Sequence, residues 1–173
     1  MSDRIITRLV EPDDLPSISA LHARVFGPGR FARTAYRVRE GHGSRSRFCR
    51  VALSGARLVA ALRFTEIAIG GRAGALLLGP LAVDPDYAGL GFGRRLIAEG
   101  LADARDRGQR LVVLVGDLPY YGRFGFKPVP PGQIQFPGPV NPARILVAEL
   151  AEGAADSYRG AIAAVGRNGS GVQ

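Results

Sequence analysis

At 173 residues the chain is long enough for one domain with a real core and too short for two comfortable ones. Hydrophobic residues at 46%, no apolar run of roughly the 18 residues a membrane span needs, and no secretory leader in "MSDRIITRLVEPDD" predict a soluble cytoplasmic protein. The formal charge of +8 asks for an anionic partner or a solvated basic face, and a single cysteine excludes an internal disulfide.

In chain order, "IITRLV" reads as a first strand and "EPDDLPSISALHARVF" as a first helix, with Leu15, Ile18, Leu21, Val25 and Phe26 near helical spacing. Asp13 and Asp14 stand at its start, where the positive end of the helix dipole favours carboxylates. "GPG" at 27–29 breaks the chain, and "RFARTAYRVRE" reads as a second short helix. The stretch from Arg30 to Arg50 is crowded with arginine and offers only Glu40 in return. Nucleic acid, a phosphorylated cofactor or an acidic substrate would suit it, and so would plain solvation of a basic face.

From Arg47 the pattern changes to strands: "RFCRVAL", "ARLVAALRFTEIAI" and "RAGALLLGPLAV". Gly70 and Gly71 between the last two satisfy the positive φ of a two-residue hairpin, so three consecutive strands are expected to be antiparallel. Cys49 reads as a small apolar residue of this sheet, because no histidine neighbours it to make a thiolate. The two histidines, His22 and His42, set no metal-ligand spacing. "GRRLIAEGLADARDRGQ" is an amphipathic helix stopped at Gly108, and "RLVVLVG" is a strand covered on both faces. Strand, turn, helix, strand makes a parallel pair with a right-handed crossover, and the fold class is α/β with a mixed sheet. Beyond Phe126, "KPVPPGQIQFPGPVNP" reads as a long ordered loop and "ARILVAEL" as the last strand. One domain over residues 1–150 is expected, followed by a tail over residues 151–173 that is mobile at "GRNGSGVQ".

The stretch "DPDYAGLGFGRRLI" joins the third of those strands to the helix. A Walker A loop would need a lysine after the glycines, and a dinucleotide fingerprint would need a glycine where Arg94 stands. Two readings remain. Either the backbone N–H groups from Gly89 to Arg94 ring a pyrophosphate at a helix N-terminus, with Arg94 and Arg95 reinforcing it, or the glycines make a tight connection and nothing more.

"LGPLAVDPDYAGLGFGRRLI" followed by "GDLPYYGRFGFKPV" resembles the GNAT superfamily of acyl-CoA N-acyltransferases, and within it the YhbS-like group. The family pattern Gln/Arg-x-x-Gly-x-Gly/Ala falls on Ala88, Gly89, Leu90, Gly91, Phe92 and Gly93, with Ala88 departing at the first position. The resemblance implies a GNAT-like sheet, antiparallel at its N-terminal strands and then a parallel fourth and fifth strand that splay apart. It implies acetyl-CoA as co-substrate and no metal, with the diphosphate on the backbone from Ala88 to Arg94 and the pantetheine arm along Leu81, Ala82 and Val83. A backbone N–H of that strand would polarise the thioester carbonyl, a contribution of about 3 kcal/mol where such donors have been removed. The family's Tyr-x-x-x-Gly-Phe pattern falls on Tyr121 to Phe126. Tyr121, with an ordinary phenol pKa of about 10, would hand its proton to the leaving thiolate. Tyr120, one residue away, is the competitor that would pack in the core. Glu66, Asp117 or a water chain would serve as base, and Asp117 has the alternative of capping the short helix after it.

The implied function is an N-acetyltransferase moving the acetyl group directly from acetyl-CoA to a primary amine of a small molecule or peptide, with no covalent enzyme intermediate. The first two helices would wall the acceptor site, where the arginines from Arg30 to Arg39 favour an amine that also carries an acidic group. The alternative is a non-catalytic acyl-CoA sensor or interaction module, distinguished by binding without turnover. A nucleic-acid binder is disfavoured, because only Phe31, Tyr36 and Phe48 would stack on bases and the glycine turn would go unexplained. Relatives of this kind often dimerise, sometimes through the last strands, so "ARILVAEL" either pairs with a second copy or closes the sheet.

Overall fold

The computed structural model describes residues 4–27 and 46–165. The expected second helix over residues 30–40, most of the arginine-rich stretch and "GRNGSGVQ" lie outside the described residues. Strand β1 (Ile5–Leu9) is followed by a short turn of helix, Pro12–Asp14, and by helix α1 (Leu15–Phe26). Asp14, expected to favour the helix dipole, is buried and takes a two-pronged grip from Arg8 at 2.7 and 2.9 Å. That pair holds α1 against β1 and draws the Asp14 carboxyl below its ordinary pKa.

Strands β2 (Arg50–Ser54), β3 (Arg57–Ile69) and β4 (Arg72–Val83) run antiparallel in sequence. Gly70 and Gly71 have φ of 58° and 84°, as the hairpin between β3 and β4 requires. β2 begins at Arg50 and not at Arg47, because Phe48 and Cys49 belong to the preceding turn. Cys49 is buried there, its sulfur 3.3 and 3.4 Å from the carbonyl oxygen and amide nitrogen of Phe64. It occupies the Phe64 N–H and C=O on the β2 side of β3, next to the first β2 pair at Arg50 and Leu62, which is the work of a small polarisable side chain and not of a nucleophile.

Helix α2 (Phe92–Asp106) crosses back over the sheet to β5 (Leu111–Val115), which lies parallel to β4, and Gly108 ends the helix with φ of 87°. Leu96, Ile97, Leu101 and Ala104 bury one face of α2 against Leu62, Phe64, Leu76 and Val112 of the sheet. The opposite face of the sheet is covered by α1, whose Ile18 and Leu21 pack on Ala61 and Ala82. Strand β8 (Ile145–Glu149) closes the sheet beside β5, with the short strand β6 (Lys127–Pro128) outside it. The sheet order is β1-β2-β3-β4-β5-β8-β6.

The segment after Leu150 departs from expectation. "ARILVAEL" is not the last strand, because β9 (Gly160–Ala164) pairs antiparallel with the end of β3 and parallel with β7 (Ile134–Gln135). Tyr158 is fully buried beside Leu77, Val113 and Val147, its hydroxyl donating to the Ala73 carbonyl at 2.7 Å. Small residues gave the segment little strand pattern, and it is docked by one aromatic ring and by a free stretch of β3 edge.

Candidate active site

β4 and β5 pair only from Ala75–Leu111 to Leu77–Val113. Beyond that β4 carries a bulge: Leu78 and Leu81 face Phe64 and Leu62 of β3, so Gly79 and Pro80 together oppose Arg63 alone. Leu81, Ala82 and Val83 remain paired to β3, while β5 continues from Leu114 on β8. Among the described residues, no strand therefore pairs with Leu81, Ala82 and Val83 of β4 on the β5 side. Their backbone groups open onto a wedge between two parting parallel strands.

The glycine turn stands at the wide end of this wedge. Gly89 and Gly91 have φ of 76° and 88°, and a Cβ on either would meet nothing within 4 Å. Backbone direction, not crowding, demands glycine at both positions, and the space above them is open. Phe92, Gly93 and Arg94 form the first turn of α2, and the helix ladder starts with Arg95 N–H on the Gly91 carbonyl at 3.0 Å. Among the described residues, no acceptor is paired with the N–H groups from Gly89 to Arg94. The Ala88 N–H differs: it bonds the Pro85 carbonyl at 3.3 Å to close a tight turn, so the row of unpaired donors begins at Gly89. Six consecutive N–H groups at the start of a helix fit a diphosphate.

Asp84, which begins this turn, was not legible as a site residue. It is 2% exposed, accepts from the Asp86 N–H at 2.9 Å, and pairs with Arg24 of α1 at 2.9 Å and Arg57 of β3 at 2.8 Å. Its carboxyl is held below the ordinary value, foremost by the Asp86 N–H and then by Arg57 and Arg24, against the opposing pull of burial. The entry to the glycine turn is thus tied to α1 and to the start of β3. The only local signal was an aspartate two residues before an unpaired amide.

The tyrosines lie on the short helix α3 (Leu118–Tyr121), after Gly116 and Asp117 at the carboxyl end of β5. A Cβ on Gly116 would stand 2.5 Å from Cε2 of Tyr121, so the ring rests directly on that glycine, 5.9 Å from Phe126. Tyr120, expected to pack in the core, is partly buried and packs against it, and its hydroxyl lies 3.3 Å from where a Cβ on Gly93 would be. Asp117 closes the turn with its backbone carbonyl, accepting from the N–H groups of Tyr120 and Tyr121. Its exposed side chain makes no cap bond and lies 3.3 Å from Arg144. Glu66 stands on β3 opposite Leu76, before the strands part, 4.0 Å from Arg47. Among the described residues, no cluster of His, Cys, Asp and Glu is arranged to hold a metal ion, and no helix is long and apolar enough to cross a membrane.

A mixed sheet whose parallel central strands part beside a helix opening on unpaired N–H groups defines an acyltransferase of the GNAT kind. The family model described as an acetyltransferase (GNAT) domain matches residues 7–129, and the chain belongs to that family. It is accordingly an N-acetyltransferase with acetyl-CoA as co-substrate. The chain is 31% identical over 134 residues to the uncharacterized N-acetyltransferase YjhQ of Escherichia coli K12, covering 76% of this chain and 74% of that one. It is 30% identical over 128 residues to the uncharacterized N-acetyltransferase YhbS of the same strain, covering 71% and 74%. The crystal structure of E. coli YhbS in complex with CoA superposes with a TM-score of 0.80 at 28% identity, covering 95% of this chain and 92% of that one. A GNAT family acetyltransferase from Brucella melitensis in complex with acetyl-CoA superposes with a TM-score of 0.61 at 30% identity, covering 89% and 99%.

Proposed function

We propose that the protein transfers the acetyl group of acetyl-CoA directly to a primary amine held between α1 and the wedge of β4 and β5. The observation that carries this reading is the row of unpaired N–H groups from Gly89 to Arg94 at the mouth of the parted strands. Those amides hold the diphosphate, while the unpartnered edge at Leu81, Ala82 and Val83 aligns the pantetheine arm. When bound, acetyl-CoA supplies the acetyl group as an activated thioester. A free N–H of the β4 edge polarises the carbonyl that receives the amine. Tyr121, beside Gly116 at the carboxyl end of β5, gives its phenol proton to the departing sulfur. The amine's proton leaves through water or to the carboxylate of Asp117 or Glu66. The arginines from Arg30 to Arg39 favour an acceptor that also carries an acidic group.

Calorimetric titration with acetyl-CoA, followed by a thiol-release screen of amino acids, polyamines, aminoglycosides and peptides, tests the reading. Saturable binding and turnover on an amine are expected. Absence of both binding and competition with CoA would sink it, and activity on polyamines alone would remove the acidic acceptor.

A further inference from the structure

We propose that the Tyr120 hydroxyl is a cofactor-positioning group that donates a hydrogen bond to the diphosphate of bound acetyl-CoA from the wall facing the glycine turn. The inference rests on the reading that acetyl-CoA lies along the Gly89–Arg94 turn, and it adds a side chain to a site so far built from backbone.

Four groups converge on one point. A Cβ on Gly93 would stand 3.3 Å from the Tyr120 hydroxyl, 3.3 Å from Cδ2 of Leu81 and 3.6 Å from Cγ2 of Val83. The phenol therefore reaches across from α3 to where the cofactor strand meets the second residue of α2. Its ring is fixed edge-on against Tyr121 and Phe124, with centroids 4.9 and 5.9 Å away. The hydroxyl nevertheless has no hydrogen-bond partner among the described residues. A partly buried O–H beside two aliphatic side chains, with no acceptor bonded to it among the described residues, is a donor left over for a ligand.

A cation lies over the phenol ring. The Arg123 guanidinium lies 5.1 Å from the Tyr120 ring centroid, and among the described residues it has no carboxylate partner. Arg94 is exposed on the first turn of α2. A cation over a phenol ring strengthens its O–H as a donor, so the pair forms an anion-facing wall opposite the backbone amides. Glycine at position 93 follows, since a methyl group there would crowd the hydroxyl.

Tyr120→Phe removes the oxygen and keeps the ring. Calorimetric titration compares CoA with pantetheine, which has the same arm and thiol without the diphosphate. The expected result is CoA binding weakened about tenfold, as for loss of a hydrogen bond to a charged group, with pantetheine binding unchanged. Unchanged CoA affinity overturns the proposal, and so does an equal loss for both ligands, which would mark Tyr120 as structural. A wild-type protein that binds neither CoA nor acetyl-CoA would instead sink the acetyl-CoA reading itself, a result seen before any variant is made.

Discussion

Tyr120 and Tyr121 are neighbours on one helical turn, so their side chains leave the helix axis about 100° apart and reach different walls of the wedge. Tyr120 reaches the first turn of α2, and Tyr121 lies on Gly116. The two phenols should therefore separate in kinetics. Tyr121→Phe is expected to lower kcat roughly a hundredfold, the scale of one general acid, while leaving CoA affinity intact. Gly116→Ala should act in the same direction, because its Cβ would overlap the edge of the Tyr121 ring. Thiol release at saturating acetyl-CoA, set beside calorimetric CoA affinity, reads the split. A Tyr121→Phe enzyme with undiminished kcat would strip that residue of its role.

At the scale of elements, Asp84 joins α1, β3 and the turn that enters α2. Removing it with Asp84→Ala leaves the Asp86 N–H without its acceptor and Arg24 and Arg57 with only the exposed Asp86 carboxylate, 3.3 and 3.6 Å away, a loss of about 1–3 kcal/mol for groups of this kind. The folded-state pKa of Asp84 is depressed. Its contribution is complete above the unfolded value of about 3.9 and disappears as pH falls through the lower folded value. Urea unfolding should show the variant clearly weaker near neutral pH, with the gap to the wild type narrowing toward about pH 3. A gap independent of pH would mean that the carboxylate's charge contributes nothing.

For the molecule as a whole, the chain after Leu150 is part of the packed structure as far as β9. Tyr158 carries much of that docking, so Tyr158→Ala should cost about 3–5 kcal/mol, in the range of emptied aromatic sites. Tyr158→Phe, which loses only the bond to the Ala73 carbonyl, should cost about 1 kcal/mol. Chemical denaturation orders the three proteins. A Tyr158→Ala protein as stable as the wild type would show that this segment is dispensable.

Local rules wrote much of this fold into the sequence. Gly70 and Gly71 announced a hairpin, because a primed turn needs positive φ. Apolar spacing announced α1 and α2, and "DPDYAGLGFGRRLI" announced a turn able to face an anion. The wedge was legible only through family resemblance, since nothing in "GALLLGPLAV" says how far β5 follows β4. Cys49 was readable as structural, although its place against Phe64 was not.

By itself, then, the amino-acid order determined the family, the mixed sheet and a glycine turn that opens a helix, because each is carried by short motifs and by patterns within single elements. Tertiary structure alone decided which of two adjacent phenols faces that turn, which cations Asp84 would join, and that a weakly patterned segment would close the edge of β3. Those outcomes depend on surfaces contributed by distant parts of the chain, and periodicity along one element carries no record of what will be packed against it.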